Sequence, residues 1–165
     1  MPAILRARHA AALFASLLLA GGCEDPAGLP HGWVGDDEAG TILVSFGTDP
    51  LRYPRDAWSL DSARIEDDTL RLRVSHAGGC RRHGYALVAW NGWLESNPVQ
   101  VGVLLAHDSR GDACEALLAP HLRFHLAPLR EAFLRDYGAG HRTLVLRISD
   151  PADPGTPLAT LSWSF

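Results

Sequence analysis

Leu70-Arg71-Leu72-Arg73-Val74 alternates apolar and charged side chains without a break. Successive side chains of an extended strand point to opposite faces, so this run predicts a strand with one face buried and one wet. The same period of two continues on both sides of it. Upstream, Ile42, Val44 and Phe46 alternate with Thr41, Leu43 and Ser45, and a second strand runs from Trp58 to Ile65. Downstream, Gly78-Gly79 relaxes the backbone before Cys80-Arg81-Arg82-His83, and Tyr85 to Trp90 reads as extended. Asn91-Gly92, lying between Trp90 and Trp93, is the dipeptide that a type I′ hairpin turn prefers, because both of its central residues take positive φ.

After Asn97-Pro98, the residues Val99, Val101, Val103 and Leu105 share one face while Leu104 and Ala106 share the other. Apolar residues on both faces predict a central strand. His107 is in phase with its first face. Leu122, Phe124 and Leu126 alternate with Arg123 and His125, and two more extended runs, Thr143 to Ile148 and Leu158 to Phe165, finish the chain. One helix is expected near residues 128–137: Pro128 suits its first turn, Leu129, Ala132 and Phe133 fall on one side, and Gly138 stops it. Short strands separated by turn residues predict a mainly β chain, a single antiparallel β-sandwich or open barrel carrying that one short helix.

Residues 1–22 have the anatomy of a secretory signal. Arg6 and Arg8 precede the apolar run from Ala10 to Ala20, which is too short for the ~20 residues a spanning helix needs. Residues 23–40, rich in Pro, Gly and acid, read as a flexible tether, which leaves 41–165 for the sandwich domain. Roughly 140 residues without the signal suffice for one domain with a real core.

Leu19-Ala20-Gly21-Gly22-Cys23 resembles the lipobox of bacterial lipoproteins, with Ala20 where that family usually has Leu. The resemblance implies lipidation of Cys23, which becomes the new N-terminus. Ordinary cleavage after Gly22 is the competing reading and would release the chain. Beyond the signal, Gly78-Gly79-Cys80-x-x-His83, Pro98-Val99-Gln100, His107-Asp108-x-x-Gly111-Asp112-x-Cys114 and the Pro128 helix together resemble a group of short, uncharacterised bacterial lipoproteins. That likeness covers about Trp58 to Ile148. It implies topology and an address in the bacterial cell envelope, with the lipid bilayer as a partner, and no chemistry.

Three cysteines fit this reading. With Cys23 lipidated, Cys80 and Cys114 form an even pair in a compartment where disulfides persist. Closing a loop of roughly 35 residues stabilises by about 3.8 kcal/mol in the chain-entropy account. The alternative is a metal site built from Cys80, His83, His107 and Cys114, two thiolates and two imidazoles that zinc accepts. The spacing between His107 and Cys114 does not fit a zinc knuckle, and in an oxidising compartment the thiols meet each other first.

Charge excludes other classes. Every basic residue is arginine, and without Arg6 and Arg8 there are 13 of them against 19 acids, a net −6 with histidine neutral. An acidic domain without a basic run argues against nucleic acid. The absence of lysine removes Schiff-base chemistry and a phosphate-loop lysine. No Gly-x-Ser-x-Gly or His-Glu-x-x-His motif is present, so no catalytic residue and no cofactor is assigned. Trp90 and Trp93 are the candidate ligand-binding residues: indoles beside a turn stack on sugars or other flat ligands, and equally on each other. The expectation is therefore an exported, non-enzymatic envelope module that binds or supports, with an envelope protein or glycan as its partner.

Overall fold

A computed structural model describes residues 29–165. The signal, Cys23 and the first part of the expected tether lie outside the described residues. Among the described residues ten strands and one α-helix, with a short 3-10 turn at Pro50–Arg52, follow in the order β1 (Ala39–Thr41), β2 (Leu43–Val44), β3 (Ser59–Glu66), β4 (Thr69–Gly78), β5 (Gly84–Leu94), β6 (Val99–Asp108), β7 (Ala116–Leu118), β8 (His121–His125), α1 (Ala127–Tyr137), β9 (Thr143–Ser149) and β10 (Ala159–Ser164).

Two five-stranded sheets face each other. The first has the order β1-β8-β4-β3, with β7 also on β4; the second runs β10-β9-β6-β5-β2. The expected mainly β sandwich with one short helix is what the chain forms. Its sheets are mixed, however, because β1 pairs β8, β2 pairs β5 and β6 pairs β9 in parallel. The connection that brings β9 back parallel to β6 is long: it passes through β7 and β8 of the first sheet and then through α1.

The alternation around Leu70 holds in full. Leu70, Leu72, Val74 and His76 of β4 point inward and are buried, while Arg71 and Arg73 point out. In β6, Val99, Val101, Val103 and Leu105 enter the main core and Ala106 lies in a smaller cluster behind the sheet with Ala86 and Val88. β6 is thus covered on both faces, as its composition requires. Leu129 and Phe133 of α1 close one end of the core. Pro128 lies in the helix's first turn and the amide of Gly138 caps the Leu134 carbonyl at 2.9 Å. Among the described residues no helix is long and apolar enough to cross a membrane.

Three local expectations are corrected. Asn91-Gly92 is not a hairpin turn. It lies inside β5, where the register against β6 shifts between Ala89 and Trp93, and the β5–β6 connection comes at residues 95–98, with a cis Asn97-Pro98 bond. A type I′ turn needs positive φ at both central residues. Only Gly92 has it, at 74°, so the pair makes a bulge.

The acidic stretch assigned to a flexible tether also belongs to the domain from Val34 onward. Val34 is buried and exchanges both backbone hydrogen bonds with Tyr85, and Ala39–Thr41 adds a strand to β8. Composition suggested a spacer, but each acid has a partner: Glu38 pairs with Arg82, Asp37 accepts from the His121 amide, and Asp36 accepts from Tyr85.

The strand expected over Ile42 to Phe46 divides instead. Residues before Ile42 join the first sheet and those after it join the second, so this buried isoleucine marks the crossing between layers.

Candidate functional site

The inward-facing rows of β4, β5 and β6 end in polar residues at the same end of the sandwich. The row Leu70, Leu72, Val74 leads to His76. The row Ala89, Leu87, Tyr85 leads to His83, and Val101, Val103, Leu105 leads to His107. All three histidines and Tyr85 are buried, His83 and Tyr85 completely. Because His76 comes from the first sheet and the others from the second, the cluster bridges the two layers.

The contacts are close. His83 Nδ1 lies 2.8 Å from His107 Nε2, and Tyr85 Oη lies 2.5 Å from His76 Nε2. The His76 and His83 rings stack with centroids 4.4 Å apart, and Tyr85 stacks on His107 at 5.0 Å. One ligand nitrogen from each of His76, His83 and His107 falls within 4.8 Å of the other two.

The outer nitrogens are all occupied by acceptors. His76 Nδ1 is 3.0 Å from the Ala77 carbonyl, His107 Nδ1 is 3.2 Å from the Asp56 carbonyl, and His83 Nε2 is 3.2 Å from Asp112 Oδ2. Carbonyls and carboxylates bring no proton, so each of these nitrogens carries its ring's N–H. Burial, reinforced by the neighbouring His76 and His83, pushes the His107 imidazole down to about 4, and the nearby Asp56 opposes this only in part. Burial, followed by the hydrogen bond to Asp36, holds the Tyr85 phenol protonated far above its ordinary range.

Asp112 ties the β4–β5 connection to the turn after β6. Its Oδ2 accepts from the amides of Gly79, Cys80 and Arg81, each at 2.9 Å, and its Oδ1 accepts from the Cys114 amide at 2.9 Å. The Cys114 amide is the chief reason its carboxyl stays far below the usual carboxylate range, with the Arg81 and Cys80 amides and His83 adding to it. Cys80 and Cys114 are joined by a disulfide, with Cα atoms 5.8 Å apart. The expected pairing is therefore present, and it ties the β4–β5 connection to the turn after β6 directly above the histidines.

This bond removes the four-residue metal site considered from sequence. The sulfurs of Cys80 and Cys114 are bonded to each other, and His83 and His107 meet His76 and Tyr85 instead.

Trp90 and Trp93 do not form one platform. Three positions apart on an extended strand, they fall on opposite sides of β5. Trp90 packs behind the second sheet with Tyr53, while Trp93 packs against the main core. Trp93 meets Phe46 and Phe133 edge-on and donates its indole N–H to Asp136 at 2.8 Å.

His76, Tyr85, Asp36 and Asp112 were not singled out from the sequence as site residues. The signal for His76 and Tyr85 was there: each is in phase with a buried apolar row. Nothing local marks Asp36 or Asp112 as partners of residues 49 and 29 positions away.

No protein-family model and no curated protein sequence matches the chain. Solved bacterial structures do resemble it. A protein of unknown function, DUF1344, from Bacteroides vulgatus is 15% identical with a TM-score of 0.50, over 77% of this chain and 56% of that one. A NigD-like immunity protein from Bacteroides caccae is 16% identical with a TM-score of 0.44, over 67% of this chain and 52% of that one. A toxin-related protein from Parabacteroides distasonis is 17% identical with a TM-score of 0.43, over 76% of this chain and 60% of that one. The chain thus spans between 52% and 60% of the length of these neighbours. At such identity the likeness to the first shows a shared fold and nothing about activity.

Proposed function

We propose that this chain is an exported bacterial envelope protein, anchored in a bilayer by a lipid on Cys23, whose β-sandwich acts as a non-enzymatic binding or support module. The observation that carries this reading is the Cys80–Cys114 disulfide. Such bonds persist outside the reducing cytoplasm. With these two cysteines paired, Cys23 is left as the odd thiol, directly behind the small residues Ala20, Gly21 and Gly22. The diacylglyceryl thioether that the resemblance implies itself supplies the two chains that stable anchoring requires.

No nucleophile and base stand together with an open substrate position around the histidine cluster, and the buried Tyr85 and His107 are protonated and neutral, respectively, at ordinary pH. That pattern supports a structural or binding role. The packing of Trp90 and Trp93 on opposite sides of β5 gives no support to a sugar-stacking surface, so the partner is assigned no glycan chemistry.

Intact-mass measurement on detergent-extracted protein tests the anchor. The expected mass starts at Cys23 and carries acyl chains. Cys23→Ser is expected to release the protein to the soluble fraction. Continued membrane association of Cys23→Ser, or an unmodified mass, would remove the anchor from this reading.

A further inference from the structure

We propose that His76, His83 and His107 bind one divalent transition-metal ion of the zinc class, with the Tyr85 hydroxyl as the fourth ligand. The proposal is independent of how the chain is anchored. It rests on an account of the protons. The Ala77 carbonyl, the Asp56 carbonyl and the Asp112 carboxylate oblige the outer nitrogen of each ring to be the N–H. Every inner nitrogen then presents a lone pair. His83 Nδ1 and His107 Nε2, at 2.8 Å, are two acceptors facing each other with nothing between them. Tyr85 Oη has a single proton to share between Asp36 Oδ1 at 2.8 Å and His76 Nε2 at 2.5 Å. The cluster is rich in lone pairs and short of electrophiles.

An extra proton would relieve one contact, at the cost of an imidazolium buried between two sheets. A metal ion relieves all of them at once. Imidazole nitrogens are the preferred ligands of zinc and related ions, whereas calcium and magnesium take oxygen shells. The arrangement outside the rings is the one such ions use, with every ligating histidine held through its other nitrogen by a carbonyl or carboxylate. Asp112 and Asp36 place two negative charges just beyond the ligands, which offsets the charge of a divalent ion. A tetrahedral ion with bonds of roughly 2.0–2.1 Å sets ligand nitrogens about 3.3 Å apart, so the His83–His107 contact opens by about half an ångström on loading.

The site is closed. Gly78, whose missing side chain would otherwise lie 2.6 Å from His83 Nε2, lets the backbone lie directly over the ring, and the Cys80–Cys114 bond fixes that cover. A closed centre with ligands from both sheets suits an ion that holds the layers together, a structural role.

The test uses the full-length chain as purified from its producing cells, stripped with a chelator and titrated with Zn2+ and, separately, Co2+. One equivalent is expected to bind, with the visible absorption of four-coordinate cobalt, and His83→Gln and His107→Gln are each expected to weaken binding by about 100-fold or more. No uptake by folded wild-type protein at a large excess of either ion would overturn the proposal, as would unchanged uptake in both variants. If the variants do not fold, 15N-histidine spectra of the wild type decide. Zinc is expected to move His83 Nδ1, His107 Nε2 and His76 Nε2. Shifts confined to the exposed His31, His121, His125 and His141 would overturn it.

Discussion

The side-chain oxygen of Asn91 accepts a hydrogen bond from the amide of Gly102 at 2.7 Å, across the one place where β5 and β6 lose register. Gly102 is buried, and a Cβ there would lie within 2.7 Å of the same oxygen. Asn91→Ala leaves a buried amide without an acceptor, and a loss of about 1–3 kcal/mol is expected. Urea unfolding followed by tryptophan fluorescence measures it. A loss near zero would mean that the bulge does not depend on this contact.

The disulfide closes a segment 34 residues apart in sequence. Replacing Cys80 and Cys114 together by alanine is expected to lower the unfolding free energy by about 3–4 kcal/mol, through the greater freedom of the unfolded chain. Equilibrium denaturation of the double variant against the oxidised parent reads this directly.

Tyr85→Phe preserves the ring that stacks on His107 and removes only the hydroxyl. Asp36 and His76 both lose their contact with it. The expected cost is about 1–3 kcal/mol, since the buried His76 loses its partner and the half-buried Asp36 loses a donor. The far-ultraviolet spectrum is expected to stay unchanged, because no backbone bond is touched.

Tyr137 donates its hydroxyl to Glu95 at 2.6 Å, and that hydrogen bond, more than burial, pushes the phenol up to about 12. The folded value lies above the value of about 10 expected in the unfolded chain. The contribution of this contact is therefore complete below pH ~10 and fades as the pH rises towards 12. The stability difference between the parent and Tyr137→Phe is expected to shrink across that window. Phenolate absorbance, followed in parallel, is expected to lose a late-titrating component in the variant.

Much of this architecture can be read along the chain. Leu70 to Val74, Val99 to Ala106 and the Pro128 helix behave as their periodicity says, because which face a side chain takes depends on its neighbours two or four positions away. The same local rule, extended by one step from Val74 and from Leu87, reaches His76 and Tyr85. What periodicity cannot supply is which rows end beside one another. His76 meets His83 and His107 only because β4 and the β5–β6 pair belong to different sheets that pack face to face, and Asp36 and Asp112 arrive from segments with no periodic pattern. At Asn91-Gly92 a turn-forming dipeptide is instead held in a bulge by a contact with the neighbouring strand, at Gly102. Strand identity and the buried faces are set by short-range chemistry, and the cysteine pairing follows from the number of cysteines, whereas the histidine cluster exists through contacts between residues far apart in sequence, whose free energy is realised only once the two layers close.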